Sequence, residues 1–222
     1  MATSCVNIAA ELGPAQVPWW QDWRGECVAI IGAGPSAKQV PVELLRDRVH
    51  VIVVNDSYKL APWAEILYSC DFNWWQLHKG ARDFAGLRLS YDQRACREYG
   101  LQRVIIEQVG SDNLLLDKPT FIGAGGNSGF QAFNLALQFG ATGIMLIGID
   151  CSLDHGMHWH GRHPMPLSNP MHINIERWRK AFDGVAPHVQ RLGVDVVNCS
   201  EISKLAQYPK MTIAEALERW QL

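Results

Sequence analysis

Several features that would assign a sequence to a class at once are missing from this 222-residue chain. No apolar run reaches the roughly 18–20 residues of a membrane-spanning helix, so no transmembrane segment is predicted. Residues 1–18 contain no basic start followed by an apolar stretch, which argues against a secretory signal peptide. Charged residues make up only 19%, and the net charge of −2 leaves no basic excess for a broad nucleic-acid surface. We therefore expect a cytoplasmic protein.

The common signatures of metal and nucleotide sites are missing as well. The six cysteines are scattered without a C-x-x-C pair, which favours reduced thiols. The sequence contains no H-E-x-x-H, no G-x-G-x-x-G and no Walker A ending in G-K-[ST]. These absences argue against a zinc-protease helix, the standard dinucleotide turn and a P-loop, and leave other sites open.

What the chain has is 48% hydrophobic residues, enough for one globular domain with a sizeable core. Strands are predicted over residues 26–31, 49–54, 65–69, 103–107, 143–149 and 194–197, and helices over 38–45, 130–139 and 173–192. Thr212 and Glu215 form a capping box for a C-terminal helix within 208–222, and residues 1–25 form a Trp-rich N-terminal extension. Apolar strands alternating with helices predict an α/β fold: a Rossmann-like, doubly wound, mainly parallel sheet with helices on both faces.

Ligands of such sheets bind beyond the carboxyl ends of the strands, where the strand order reverses. The first predicted strand runs into a turn formed by Gly32, Ala33, Gly34, Pro35 and Ser36. Its glycines let the backbone approach an anion, and a serine can cap the next helix. The turn is either a phosphate site or a structural tight turn.

Two further strand ends or turns carry polar residues. Asn55 and Asp56 follow the second strand, where such residues contact a ribose hydroxyl or form a local cap. Asn127, Ser128 and Gly129 close a second glycine-rich segment ahead of a predicted helix. That segment is a second anion cradle or a flexible loop with a serine cap, and two such turns in one domain favour a phosphorylated ligand.

Five of the eight histidines fall within 18 residues: His155, His158, His160, His163 and His172. They follow the strand that ends at Asp150, in a segment rich in glycine, proline and methionine that predicts a loop. Three interpretations stay open. The histidines provide a general base near neutral pH, ligands for Zn²⁺ or another metal, or a solvated loop without chemistry.

Five motifs follow one another along the chain: residues 31–36, Asn55, residues 127–129, residues 147–150 and residues 158–163. In this order they resemble bacterial sialyltransferases of the Campylobacter type. The chain also resembles a wider Rossmann-like group of archaeal hydroxymethylpterin diphosphokinases, motility-associated glycosyltransferases and small phage or prophage proteins. The short length and the Gly-Gly-Asn-Ser-Gly spelling are most similar to the phage proteins.

The resemblance implies a glycosyltransferase-like enzyme with a CMP-type or other nucleotide-sugar donor across the strand ends. Facing the donor phosphate and sugar would be Gly32, Gly34, Pro35, Ser36, Asn127, Ser128 and Gly129. Asn55 would contact the nucleotide, and Gly148 and Asp150 the base or ribose. His158 stands where those enzymes carry the base that deprotonates the acceptor hydroxyl, in an inverting transfer without a metal cofactor.

The chain departs from that family at two places. Ala33 stands where those sialyltransferases have asparagine, and Cys151 and Ser152 follow Asp150 where they have tyrosines. Two alternatives therefore stand beside the transferase: a non-catalytic nucleotide-binding or interaction module, and a metal-dependent, pyrophosphokinase-like phosphotransferase. The second would need Mg²⁺ on carboxylates such as Asp56, Asp71 and Asp150.

The nine tryptophans allow a homo-oligomer as well. Large aromatic side chains are enriched at interfaces, and they are equally ordinary in a core. The tryptophans in question are Trp19, Trp20, Trp23, Trp74 and Trp75.

Overall fold

The computed structural model describes residues 17–222, so the first 16 residues of the predicted N-terminal extension lie outside the described part of the chain. Within these residues, seven strands form one sheet, and all of its pairings are parallel. They are β1 (Cys27–Ile31), β2 (His50–Val54), β3 (Ile66–Tyr68), β4 (Leu87–Ser90), β5 (Gln102–Arg103), β6 (Gly143–Ile147) and β7 (Asp195–Asn198). Their spatial order is β5-β4-β3-β2-β1-β6-β7. Successive strands are added on one side of β1 as far as β5, and from β6 onwards they are added on its other side. The predicted doubly wound, parallel α/β fold is confirmed.

In the described part of the chain, five α-helices cover the sheet on its two faces. They are α1 (Phe72–Leu77), α2 (Gln93–Tyr99), α3 (Ser128–Gln138), α4 (His172–Arg191) and α5 (Ile213–Arg219). Successive strand residues point to opposite faces. Val28 and Ile30 of β1 therefore pack in one layer with α3 and α4. Ala29 and Ile31 pack in the other with α1, α2 and α5.

The predicted helix over residues 38–45 is wrong. The chain instead forms two 3₁₀ turns, Pro35–Gln39 and Val42–Leu45. Pro41 lies between them, and because proline lacks an N–H and disfavours helical backbone in the residue before it, one continuous helix cannot form.

The far edge of the sheet also differs from the prediction. Instead of a strand over residues 103–107, the chain forms the two-residue β5 and then a single bridge from Ile105 to Phe121. β4, α1 and α2 were not predicted, because each is short and none has an extended apolar pattern of one period. The capping box is confirmed: Thr212 Oγ1 accepts a hydrogen bond from the Glu215 N–H at 3.2 Å, and the Glu215 carboxylate accepts one from the Thr212 N–H at 2.7 Å.

Three of the five tryptophans considered for an interface belong to the core. Trp23, Trp74 and Trp75 are each no more than 3% exposed. Trp23 stacks on His50 with ring centroids 4.5 Å apart. Trp19 and Trp20 are half-buried, and Trp20 contacts Phe139 edge to face.

Between residues 17 and 222, no helix combines the length and the apolar character that crossing a membrane would require.

Candidate functional site

The turn after β1 and the turn after β6 contact each other at the point where the strand order reverses. The Gly32 N–H donates to the Ile147 carbonyl at 2.7 Å, and the Gly34 N–H donates to the Gly148 carbonyl at 2.8 Å. A Cβ atom on Gly32 would lie 2.7 Å from the Gly148 oxygen, closer than van der Waals contact allows. The first glycine of the motif is therefore required by the approach of two backbones.

The buried carboxylate of Asp150 binds the start of the 3₁₀ turn Pro35–Gln39, which follows Gly34. Asp150 accepts a hydrogen bond from the Ser36 N–H at 2.9 Å and another from the Ser36 hydroxyl. Both residues are at most 3% exposed, and burial raises the pKa of Asp150. The sequence predicted that Ser36 could cap the helix that follows, in a turn that was either a phosphate site or a structural tight turn. In the structure Gly34 occupies the cap position and the protein's own Asp150 provides the anion.

A cavity that is open to solvent lies beside these two turns. Among the predicted site residues, its lining contains Gly32, Gly34, Asn55, Asn127, Ser128, Gly129, Gly148, Asp150 and His158. The predicted residues Pro35, Ser36 and Asp56 do not line it.

The second glycine-rich segment positions the N-terminus of α3 at this cavity. Asn127 Oδ1 accepts a hydrogen bond from the Phe130 N–H at 2.9 Å, so asparagine caps the helix where the sequence left serine as the candidate. The Ser128 hydroxyl accepts from the Cys70 N–H at 3.1 Å and fixes α3 to the end of β3. The N–H groups of Ser128 and Gly129 have no acceptor within residues 17–222. Two free donors at a helix N-terminus favour an anion.

Asn55 presents an unpaired acceptor at the cavity wall. Its φ is +52°, a left-handed conformation that asparagine tolerates better than most residues. Its side-chain oxygen is buried and has no hydrogen-bond partner in the described part of the chain. A buried acceptor without a donor is unfavourable, so a donor group on a ligand would be stabilised here.

Asp56, the next residue, is directed elsewhere. Its carboxylate accepts a hydrogen bond from Trp74 Nε1 at 2.9 Å, forms an ion pair with Lys59 and lies 3.5 Å from His78 Nε2. Burial opposes ionisation of Asp56, but the donors from His78, Lys59 and Trp74 outweigh it and hold the pKa well below its usual range. Asp56 therefore remains a carboxylate at neutral pH.

His158 lies on the cavity wall, and its Nε2 is buried without a partner among residues 17–222. Burial, with smaller effects from His163 and His160, lowers the pKa of His158 to about 4, so the ring is neutral at pH 7. The loop that contains His158 is fixed to the turn after β1, because the backbone N–H of Trp159 donates a hydrogen bond to the Ala33 carbonyl at 3.0 Å.

The histidine loop does not lie uniformly in solvent. His158, His160 and His163 are half-buried and face one another, whereas His155 and His172 are exposed. This division cannot be read from spacing, because it depends on how the loop folds back onto the turn after β1.

The apolar part of the cavity wall was not predicted as part of a site. Ile175 and Trp178 of α4 line it together with Met157 and Pro170. The helical spacing of Ile175 and Trp178 predicts a face directed at the core. The same spacing is expected whether these residues pack in the core or contact a ligand.

The three carboxylates proposed for Mg²⁺ are not brought together. Asp150 lines the cavity, but Asp56 and Asp71 do not. In the structurally described region, these three form no group that could hold a metal ion.

No protein-family model matches the sequence, and no curated protein matches it significantly. Solved structures that match include the sialyltransferase CstII from Campylobacter jejuni in complex with the substrate analogue CMP-3FNeuAc. The TM-score is 0.51 at 13% sequence identity, with 88% of this chain and 98% of that chain covered. CstII in complex with cytidine 5′-monophosphate gives the same TM-score and identity, with 89% and 98% covered. The similarity shows a sialyltransferase-like α/β fold.

Proposed function

We propose that the chain is a nucleotide-dependent transferase of the glycosyltransferase type, which takes a nucleotide sugar as donor in the cavity between β1 and β6. The observation that carries the proposal is the N-terminus of α3. Two free N–H groups there, at Ser128 and Gly129, belong to residues that line a cavity at the place where ligands of doubly wound sheets bind. The solved sialyltransferase structures of similar fold contain CMP or a CMP-sugar analogue, which supports this donor class.

The donor phosphate would lie against the N-terminus of α3. Asp150 already accepts a hydrogen bond from the Ser36 N–H, the first N–H of the turn after Gly34. That turn would therefore contact the donor through the backbone of its glycines and not through a free N–H group. Asn55, with its unpaired oxygen, would accept a hydrogen bond from the nucleoside. Gly148 and Asp150 would lie beside the base or ribose.

We assign His158 as the general base that removes the proton from the hydroxyl group of the acceptor substrate. Its ring is neutral at pH 7 and one nitrogen is unpaired, so the lone pair is free for a proton. A pKa of about 4 describes the protein without a ligand. A phosphate anion nearby favours the charged imidazolium and would raise the pKa of His158 towards the working pH.

The first test is a thermal-shift panel of nucleotides and nucleotide sugars, with Mg²⁺ or with a chelator. A ligand at 100 times its Kd stabilises the native state by about 2.7 kcal/mol, which gives a readable shift. Selective stabilisation by cytidine nucleotides in the chelator would support the proposal. Stabilisation that requires ATP and Mg²⁺ would favour the phosphotransferase alternative, although the separated carboxylates argue against it.

Turnover is tested by release of free nucleotide from the donor that binds. We expect His158→Ala to abolish release while donor affinity is kept. The control is His155→Ala, an exposed histidine of the same loop. Full turnover in His158→Ala would remove His158 from this role, and donor binding without turnover in the wild type would favour a non-catalytic binding module.

A further inference from the structure

Three imidazoles of the loop after β6 converge, and no side-chain hydrogen bond among residues 17–222 explains their arrangement. Their ring centroids are 4.4 Å apart for His158 and His163, 4.8 Å for His160 and His163, and 5.2 Å for His158 and His160. One nitrogen from each ring lies within 4.8 Å of the other two. The Nε2 atoms of His158 and His160 are buried and accept or donate no hydrogen bond within residues 17–222.

We infer that His158, His160 and His163 bind one divalent transition-metal ion of the Zn²⁺ class. Three neutral nitrogen ligands are a common protein contribution to a zinc site that keeps its fourth position open. Imidazole suits Zn²⁺ and its neighbours in the first transition row, whereas Mg²⁺ and Ca²⁺ prefer oxygen ligands. Metal binding would also satisfy nitrogen atoms that are otherwise buried without a partner, each of which is unfavourable.

The charges around the cluster are compatible with a cation. Asp56 Oδ2 lies 3.8 Å from His160 Nε2, so a buried negative charge stands beside the cluster and favours a bound cation. Lys59 and His78 also contact Asp56. Lys59 offsets part of the carboxylate's charge, and His78 interacts with the same carboxylate without belonging to the group of three.

The site adjoins the proposed donor cavity, because His158 lines that cavity. A nitrogen that holds a metal has no lone pair left for a proton. Metal binding and the base role of His158 therefore exclude each other at that nitrogen. Metal binding itself does not depend on the proposed function, since it needs neither nucleotide nor turnover.

The test is metal binding to the full chain, purified without a histidine tag and stripped with a chelator. Zn²⁺ is titrated by calorimetry, and Co²⁺ provides an absorption spectrum that reports the coordination geometry. We expect one equivalent per chain. The variants His160→Ala and His163→Ala should lose affinity by more than about tenfold, the lower end of the loss when even an outer-sphere partner is removed.

The exposed histidines provide matched controls. His155→Ala and His172→Ala remove an imidazole from the same region and should bind one equivalent with unchanged affinity. His163→Cys keeps a ligand at that position and should retain binding that His163→Ala loses. It also keeps the test decisive if the alanine variant folds poorly. Binding of several weak equivalents, equal losses in His155→Ala and His163→Ala, or no binding to the wild type would each overturn the inference.

The two proposals can fail independently. Nucleotide binding is measured in the chelator, where the metal site is empty by design, and metal binding is measured without nucleotide. A stoichiometric metal with no nucleotide shift would retain this inference and reject the proposed donor. A nucleotide shift without metal binding would do the reverse.

Discussion

The carboxylate of Asp150 accepts hydrogen bonds from both the backbone N–H and the hydroxyl of Ser36, with the N–H at 2.9 Å. These two residues belong to the turns after β6 and β1, the two strands at which the sheet order reverses. Their contact fixes one wall of the cavity and occupies the amide that the sequence offered to a ligand. The proposed anion site is the N-terminus of α3, whose first residues line the same cavity.

Replacing Asp150 tests how much this contact stabilises the fold. We expect Asp150→Ala to lower the free energy of unfolding by about 1.5–3 kcal/mol, the range for a hydrogen bond to a charged group. Asp150→Asn should lose less, because its oxygen can still accept from Ser36. Urea denaturation measures both. Asp154→Asn, an exposed residue paired with Lys204, should stay within about 0.5 kcal/mol of the wild type. An unchanged stability in Asp150→Ala would contradict the prediction.

Substitutions at Asn127 can distinguish its role as a helix cap from a role in ligand binding. We expect Asn127→Ala to lose about 0.5–2 kcal/mol of stability through loss of the cap, as should Thr212→Ala at the distant α5. Asn127→Asp keeps an acceptor for the Phe130 N–H but loses the hydrogen bond that Asn127 Nδ2 donates to the Gly125 carbonyl, so it should keep only part of the stability. It places a negative charge beside the proposed phosphate, and two such charges about 4 Å apart repel by roughly 4 kcal/mol at an effective dielectric of 20.

The expected result for Asn127→Asp is at least about a tenfold weaker affinity for nucleotides, which corresponds to about 1.4 kcal/mol. Affinity for the uncharged nucleoside should change little. Calorimetry or thermal shift with a nucleotide and its nucleoside measures the difference. Equal effects on both ligands, or none on either, would argue against a phosphate at α3.

Two glycines should respond oppositely to alanine. At Gly32 an added Cβ would meet the Gly148 oxygen at 2.7 Å and Ile149 Cδ1 at 2.5 Å, so Gly32→Ala should lose about 1–3 kcal/mol. At Gly184, inside α4, no neighbouring atom lies within 4 Å of the added Cβ. Gly184→Ala should therefore gain about 0.5–1 kcal/mol from the helix preference of alanine. Thermal or urea unfolding checks both, and a neutral Gly32→Ala would show that the two turns can separate without loss.

The pH dependence of stability should report His158. Its pKa falls from an ordinary value of 6.5 in the unfolded chain to about 4 in the folded protein, mainly through burial. As the pH drops below 6.5, the unfolded chain takes up a proton that the folded chain does not. The free energy of unfolding therefore decreases, until the folded protein is protonated near pH 4. Burial lowers the pKa of His160 and His163 in the same direction, although Asp56 opposes it for all three.

We expect His158→Gln to reduce the loss of stability between pH 7 and pH 5 by up to about 2 kcal/mol relative to the wild type. Urea unfolding in a chelator at the two pH values measures it. The comparison with the wild type is needed because burial raises the pKa values of Asp71 and Asp150, which changes the slope in the opposite sense. A parallel decline in both proteins would show that His158 is protonated equally in the folded and unfolded states.

The strands that form the centre of the sheet could be predicted because their sequences are apolar on both faces. β1, β2 and β6 are continuous runs of branched and apolar residues, as expected for strands covered by helices on either side. The capping box at Thr212 was equally local, since it depends on residues three positions apart. The edge of the sheet lacked such a signal: β4 begins with the half-buried Leu87 and Arg88, and β5 spans two exposed residues.

The candidate site divides in the same way. The sequence alone determined which positions could meet at the carboxyl ends of the strands, because parallel strands bring those ends to one edge of the sheet. Long-range packing determines that Asp150 binds Ser36, that Asp56 accepts a hydrogen bond from Trp74, and that three of the five clustered histidines converge. Each of these outcomes depends on partners far apart in the chain. The residue pattern of a segment indicates its local secondary structure, but it does not indicate which distant group will form hydrogen bonds with it.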